Sequence, residues 1–234
     1  ETFINYLLVL KFVATVKKHD FVEIEYTGRL KEDNIVFDTT EEKIARENDI
    51  YDKDADYSPL VICIGENNVL KGLEEQIIGK ETGKEYVFEI SHENAFGRKD
   101  AKLIQLVPTS KFRQQNIQPV PGLQLNIDGV FGVVKTVSGG RCLVDFNHPL
   151  AGKDLIYEVK IKKIIDDSRE KLNALLKTHL HIKDAEIELK DDSVNITLKH
   201  KIPQQAQEEF VNIVNKTIPV IKNVSFAAAK ETNK

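Results

Sequence analysis

The chain has 234 residues, of which 41% are apolar and 30% charged, and its formal net charge is −4. A globular chain of this length can bury one large core or two to three small ones. Its basic residues are interspersed with acidic ones, which argues against nucleic acid as the main partner, because a nucleic-acid surface needs clustered Lys and Arg.

The first apolar stretch covers residues 3–16 and contains Lys11. It is shorter than the roughly 20 apolar residues of a membrane-spanning helix. It also lacks the preceding basic region of a signal peptide. We therefore interpret residues 1–19, whose status is uncertain, as a strand or a docked terminal segment. A trimmed signal anchor is the alternative, and no membrane partner is expected.

Residues 20–167 alternate between short strand-like and short helical patterns. Val22, Ile24 and Tyr26 alternate with polar residues, as in a half-buried strand. Strands are predicted over residues 20–30, 34–40, 60–64, 84–90, 102–107, 123–127, 130–137, 141–146 and 156–165. Short helices are predicted at the start of the polar stretch 41–59, over residues 69–78, and after Pro108 with Thr109 as the cap.

From Ser168 the pattern becomes helical, with an apolar stripe at Leu172, Leu175, Leu176 and Leu180. Strands are predicted over 185–189 and 194–198, then a helix opened by Pro203 and a last strand over 218–226. The pattern of this C-terminal tail, residues 168–234, predicts a small α/β unit without a catalytic cluster.

Motifs for nucleophilic catalysis and for phosphate binding are absent from the sequence. His179 and His181 lie two residues apart on a predicted helix and point to different sides, so neither a metal site nor a cofactor is expected. Cys63 and Cys142 lie in apolar runs and are predicted to be buried core residues. This fits a reducing compartment, and we expect a cytoplasmic protein. Asp38 follows an aromatic residue at a strand end, where it either caps a turn or belongs to a site.

Six blocks carry a resemblance to a known family: VEIEYTGRL, IVFDTT, IGENNVLKGLEEQIIG, TGKEYVFEI, ENAFG and LIYEVKIKKI. In this order and spacing they resemble FKBP-type peptidyl-prolyl cis-trans isomerases. The pieces VPTSKF, DFNH and LAGK resemble the insert-in-flap module of SlyD-type and archaeal members. The tail is similar, in layout alone, to the extra C-terminal domain of the long archaeal members.

The resemblance implies an α+β fold in which a half-wrapped antiparallel sheet surrounds one helix. The catalytic domain would be discontinuous, formed by residues 20–97 and 147–167. A small β-rich inserted domain would occupy residues 98–146, and a C-terminal α/β domain residues 168–234.

The resemblance also implies the residues of an apolar pocket. Its catalytic residues would be Tyr26, Phe37, Asp38, Phe96 and Tyr157, and its substrate-binding residues Leu60, Ile62, Val69, Leu70 and Leu73. Phe96 replaces the Tyr of many members, which removes a hydroxyl for the substrate carbonyl. By the same resemblance, Leu73 would form the pocket floor, where other members have Trp. Such a pocket favours the twisted amide, which is less polar than the planar one, so the reaction needs no acid–base machinery.

The insert suggests a chaperone activity, because an apolar surface beside the site could hold unfolded chains. Its candidate contacts are Leu103, Leu106, Phe112, Ile127, Val130, Phe131 and Val133, some of which must form its own core. The expected partners are unfolded or partly folded polypeptides, and a second copy of the chain bound through the C-terminal domain. A holdase or assembly scaffold with little isomerase activity is the alternative. A metallochaperone is disfavoured, because the C-terminus FAAAKETNK lacks a His- and Cys-rich tail.

Overall fold

A computed structural model describes residues 14–127 and 129–228, apart from the side chain of Ile127. The described residues form two units, one from 14–89 with 156–228 and one from Ile90–Leu155. The domain boundaries given above stay predictions.

The elements follow the predicted order closely. The strands are β1 (Phe21–Leu30), β2 (Val36–Thr39), β3 (Leu60–Cys63), β4 (Lys84–Ile90), β5 (Ile104–Pro108), β6 (Gln124–Ile127), β7 (Val130–Ser138), β8 (Arg141–Asp145), β9 (Leu155–Ile165), β10 (Ala185–Lys190), β11 (Ser193–Leu198) and β12 (Asn223–Ala228). The helices are α1 (Glu42–Glu47), α2 (Lys71–Ile77), α3 (Thr109–Gln114), α4 (Ser168–His179) and α5 (Gln204–Thr217). The chain is thus strand-rich and α+β, as expected.

A five-stranded sheet organises the first unit, in the order β2-β1-β9-β4, with β3 also paired to β1. Strand β1 pairs antiparallel with β2, where Gly28 faces Asp38, and with β3, where Val22 faces Ile62. This pairing brings the ends of β2 and β3 to the same long strand.

The C-terminal segment belongs to the same unit. Its sheet has the order β10-β11-β12, with β10 antiparallel and β12 parallel to β11. Leu172, Leu175 and Leu176 of α4 are buried in one core with Phe21 and Cys63 of β1 and β3. Helix α4 is therefore fixed against the first sheet by apolar packing.

The second unit contains a four-stranded antiparallel sheet in the order β5-β8-β7-β6. Its own small core consists of Val107, Phe112, Val134, Cys142 and Val144. Phe112 is only 3% exposed, so it is one of the candidate contacts that form the core of the insert and is not available to a chaperone surface. A short helix with one apolar side chain needs that side chain buried to stay in place.

Four local predictions differ from the structure. The last strand begins at Asn223, because Ile218 and Ile221 are buried in the core before it. Thr109 is the first helical residue rather than the cap, since its hydroxyl donates instead to the carbonyl oxygen of Gly140 at 3.0 Å. His181 follows the end of α4 and Val69 precedes α2, because each helix is shorter than its apolar pattern.

Most of the apolar stretch 3–16 lies outside the described residues. Its last three residues are described, and among them Val16 is buried, with 1% of its surface exposed. Its backbone N–H donates to the carbonyl oxygen of Lys80 at 2.9 Å, and Thr15 pairs with Glu81 in an isolated bridge. This end of the stretch is therefore docked, as one of the two interpretations expects.

Both cysteines are free thiols in buried positions, as predicted. Burial raises the pKa of the Cys63 thiol to about 12, and burial also raises the pKa of Cys142. Across residues 14–127 and 129–228, none of the helices is both long and apolar enough to cross a membrane.

Candidate active site

Three neighbouring strands of the first unit bring together a cluster of aromatic rings. The Tyr26 and Tyr157 ring centroids are 5.7 Å apart, and the Phe37 ring meets Tyr157 edge-on at 5.9 Å. Such tilted and edge-on pairs are favourable beyond the area they bury. The cluster forms because β1 lies between β2 and β9.

Gly28 leaves the space that these rings occupy. A Cβ atom at this position would lie 2.8 Å from Cζ of Phe37 and 3.2 Å from Cε1 of Tyr157. Real Cβ atoms do not approach other carbons so closely, so a larger residue would displace at least one ring. The glycine of the TGRL segment therefore has a steric role behind the site.

Asp38 and Tyr26 form the polar contact of the cluster. The Tyr26 hydroxyl donates to Oδ2 of Asp38 at 2.8 Å. Burial raises the pKa of Tyr26 well above its ordinary value, and the Asp38 carboxylate raises it further. The pKa of Tyr157 is raised by the same two causes. Both phenols therefore stay protonated at neutral pH and can act as hydrogen-bond donors.

A cavity of about 280 Å³ opens beside this cluster. Its walls come from the middle of β1, the end of β2, the loop 48–59 before β3, the start of β3, and α4. It is lined by Tyr26, Phe37, Asp38, Thr39, Thr40, Ile50, Asp52, Ala55, Asp56, Tyr57, Ser58, Leu60 and Lys177. This volume lies just below the usual range of small-molecule sites, which begins at about 300 Å³.

The predicted pocket residues divide into three groups. Tyr26, Phe37, Asp38 and Leu60 line the cavity, and Tyr157 packs behind the first two. Ile62 and Leu73 are 0% exposed, so they belong to the core and a ligand could contact them only after their neighbours moved. Val69 and Leu70 are half-buried and do not line this cavity.

Phe96 belongs to the second unit, where its ring stacks on His148 with a centroid separation of 4.4 Å and an interplanar angle of 5°. Its catalytic role stays a prediction.

Sequence reasoning missed the loop 48–59 as a wall of the cavity, because its polar composition favoured a surface excursion. Ile50 and Tyr57 line the cavity from this loop. The Tyr57 ring stacks on Tyr51 at 5.5 Å, and the Arg46 guanidinium lies 3.5 Å from the Tyr51 centroid. Two tyrosines within an otherwise polar stretch were the available signal, because large aromatic side chains seldom remain fully solvated.

The insert presents several apolar side chains to solvent. Of the predicted contacts, Leu106 is 61% exposed, Val130 51% and Phe131 41%. Leu103 is also exposed and Val133 is half-buried. The side chain of Ile127 lies outside the described residues. Val120 and Val137 are exposed as well and were not predicted.

A family model described as "FKBP26, IF domain" matches residues 105–150. The match confirms the resemblance of this segment to an insert-in-flap module, while its predicted bounds 98–146 stay a prediction.

Curated relatives match a larger part of the chain. It is 34% identical over 152 residues to the short-type peptidyl-prolyl cis-trans isomerase of Methanocaldococcus jannaschii, covering 65% of this chain and 96% of the relative. It is 35% identical over 118 residues to a probable FKBP-type 16 kDa isomerase of Pseudomonas fluorescens, covering 48% of this chain and 77% of the relative. The SlyD protein of Helicobacter pylori is 28% identical over 130 residues, covering 54% of this chain and 70% of the relative.

The near-complete coverage of the first relative agrees with the order of the sequence blocks, the aromatic cluster and the insert. The chain belongs to the FKBP-type peptidyl-prolyl cis-trans isomerases.

Proposed function

We propose that the chain catalyses the cis/trans isomerisation of peptide bonds before proline in unfolded polypeptides, and that it acts on them as a chaperone. The observation that carries the proposal is the cavity beside Tyr26, Phe37 and Asp38. We also propose that the domain around this cavity has the fold that the family resemblance implies, a half-wrapped antiparallel sheet around one helix.

The barrier to rotation about a peptide bond is about 18–20 kcal/mol and arises from amide resonance. Twisting the bond removes this resonance and makes the amide less polar, so aromatic walls that exclude water stabilise the twisted state over the planar one. Phe37 and Tyr26 would hold the proline ring, and Tyr157 would support both rings from behind. Phe96 is a further proposed contact.

Asp38 would act by orientation. Its carboxylate holds the Tyr26 hydroxyl at 2.8 Å, and its second oxygen can accept a hydrogen bond from the substrate backbone. The reaction is a rotation about one bond, so no covalent bond forms or breaks and no proton is transferred.

A proline-containing tetrapeptide in a protease-coupled assay tests the isomerase activity. We expect a rate above the uncatalysed one that grows linearly with the concentration of the intact protein. A rate equal to the uncatalysed one would show that the cavity is inactive.

The alternative is a holdase or assembly scaffold with little isomerase activity. The exposure of Leu106, Val130 and Phe131 favours a role in holding unfolded chains. Full suppression of aggregation of a reduced, unfolded protein, together with no rate on the tetrapeptide, would support this alternative over the first proposal.

A homodimer through the C-terminal segment is also proposed. Strands β10 and β12 are the outer strands of their sheet, and an outer strand offers backbone groups to a second chain. Static light scattering over a range of concentrations tests this. A mass of one chain, 26.6 kDa, at every concentration would exclude it.

A further inference from the structure

The C-terminal segment contributes one side chain to the cavity. Lys177 lies in the last turns of α4 and lines the same wall as Asp56 and Tyr57. The sequence assigns this segment no chemistry, so its presence at the cavity needs a separate explanation.

The position of Lys177 is fixed by the packing of its helix. Leu172, Leu175 and Leu176, all at most 1% exposed, bury α4 in a core with residues of β1 and β3. Leu60, the first residue of β3, itself lines the cavity. The helix and one cavity wall are therefore held together by a shared apolar core.

Lys177 contacts the loop 48–59 through one carboxylate. Its Nζ lies 2.8 Å from Oδ2 of Asp56, with the two side chains 33% and 37% exposed. The hydrogen bond from Lys177, and then that from Ser58, lower the pKa of Asp56 below its ordinary value. Lys183 is a second, more distant cation at 3.7 Å from the same oxygen.

Other contacts tie the first part of the loop to α1: the backbone N–H of Ile50 donates to the carbonyl oxygen of Ala45 at 3.0 Å, and the Arg46 guanidinium lies over the Tyr51 ring. The loop's internal contacts are short-range: the backbone N–H of Asp52 donates to the Tyr57 hydroxyl at 2.9 Å, and Ser58 donates to Asp56 at 2.8 Å. The contacts with α1 fix the start of the loop, and the internal bonds give its later part a shape. The contact of Asp56 with Lys177 ties that later part to α4.

We propose that Lys177 is a positioning residue of the isomerase cavity, through which the C-terminal segment holds the Asp56–Tyr57 part of the cavity wall in place. The inference rests on the proposed function, because it concerns the same cavity. Lys177 acts through Asp56 on the wall, and its charge is engaged by that carboxylate.

The test uses the intact chain with Lys177→Ala, and Lys177→Arg as the conservative variant. Half-exposed ion pairs contribute modestly, so we expect Lys177→Ala to lower kcat/KM on the tetrapeptide about two- to fivefold. Lys177→Arg retains the cation and is expected to restore at least half of the loss. Hydrogen exchange of the amides of residues 52–57 should be faster in Lys177→Ala and close to wild type in Lys177→Arg.

The matched control is Lys216→Ala. Lys216 lies in α5 and pairs at 2.8 Å with Glu66, whose side chain is 8% exposed, so it also joins the C-terminal segment to the rest of the unit. It does not line the cavity. We expect this variant to lower the resistance to urea while leaving kcat/KM of the folded protein unchanged.

The outcomes separate the two proposals. A wild-type protein without activity would overturn the proposed function itself. An active wild type with equal kcat/KM in Lys177→Ala would overturn the positioning role alone. So would an equal loss in Lys216→Ala, since that would indicate general loosening of the C-terminal segment.

Discussion

Asp38 is the next-to-last residue of β2, and its carboxylate lies 2.8 Å from the Tyr26 hydroxyl. The sequence leaves open whether this aspartate caps a turn or belongs to a site, and the contact with an aromatic residue of β1 favours the site. The Tyr26 backbone is fixed as well, because its N–H donates to Oγ1 of Thr40 at 2.9 Å. Side chain and main chain thus hold the phenol in one orientation.

Asp38→Ala tests this orientation. Loss of a hydrogen bond to a charged group is expected to lower kcat/KM on a tetrapeptide about tenfold, corresponding to roughly 1.5 kcal/mol or more. Asp38→Asn keeps an acceptor oxygen and is the matched control, with a smaller expected loss. Equal activity in wild type and Asp38→Ala would remove Asp38 from the mechanism.

Gly28→Ala tests the packing behind the site. The new methyl would lie 2.8 Å from the Phe37 ring, so we expect a loss of about 1–3 kcal/mol in the free energy of unfolding, and lower activity. Adding Phe37→Leu makes space and should recover part of the stability but not the activity. Urea unfolding and the peptide assay measure the two effects, and an unchanged stability of Gly28→Ala would contradict the steric role.

At the level of elements, a buried polar network joins the two ends of the insert. Asp145 is 5% exposed. It accepts hydrogen bonds from the side chains of Lys99 at 3.0 Å and Asn147 at 2.8 Å. Asn147 in turn accepts from the backbone N–H of Asp100 at 2.8 Å. The network therefore joins the segment at which the chain enters the insert to the segment at which it leaves.

The stability of the insert should depend on pH through Asp145. Burial alone would raise the pKa of Asp145, but the hydrogen bonds from Asn147 and Lys99 outweigh it, and the pKa is lowered from 3.8. A lowered folded pKa stabilises the folded state above the ordinary carboxyl pKa, and this contribution is lost as the pH falls through the folded value. We therefore expect Asp145→Asn to be about 1–3 kcal/mol less stable near pH 6.

Hydrogen exchange of the Val134 and Val144 amides reports on the insert alone. The difference between Asp145→Asn and wild type should shrink as the pH falls below about 3.8. A difference that persists at low pH would mean that the charge of Asp145 is not its source.

Replacing residues 98–146 by a short loop tests whether the cavity catalyses the isomerisation while the insert binds unfolded chains. The insert has its own core, so its removal should leave the cavity intact. We expect unchanged activity on a tetrapeptide and a loss on the order of 10²-fold on an unfolded protein, because the insert no longer raises the local substrate concentration.

A finer control for the insert is Val130→Ser combined with Phe131→Ser, which removes two exposed apolar side chains and is expected to leave the fold of the insert unchanged. It should lower only the activity on the unfolded protein. An equal loss of activity on the tetrapeptide and on the unfolded protein, in either variant, would contradict separate roles for the cavity and the insert.

At the level of the whole molecule, the C-terminal segment is part of the first unit's core. Phe21 and Cys63, 1% exposed each, are buried in the same cluster as α4. Ending the chain at residue 167 would expose this surface, and exposed apolar patches promote aggregation.

We expect the chain that ends at residue 167 to aggregate or to unfold at a lower urea concentration than the full chain. Val61 of β3 packs against the same cluster as Phe21. Phe21→Ser combined with Val61→Ser in the truncated chain would reduce the exposed apolar area and should partly restore its solubility. A truncated chain as stable as the full one would show that the shared core contributes little.

The sequence by itself determined the order of strands and helices, the family and the insert. Alternating apolar residues, as at Val22, Ile24 and Tyr26, specify local structure because a side chain's direction repeats every two residues in a strand. Phe37 and Asp38 could be assigned to the pocket because the block IVFDTT resembles the family, whereas the steric role of Gly28, within the block VEIEYTGRL, needed the structure. Buried cysteines could likewise be predicted from their apolar surroundings.

Only the tertiary structure decided which residues share the cavity. Lys177 and Asp56 are 121 positions apart in the chain, and no local pattern connects them, since their contact depends on how α4 packs on β3. The tertiary structure also buries Ile62 and Leu73, and it makes the polar loop 48–59 a cavity wall. Long-range contacts of this kind form when two elements bury their apolar faces against each other. The periodicity of a segment shows which of its faces is apolar, but it does not show which other element covers that face.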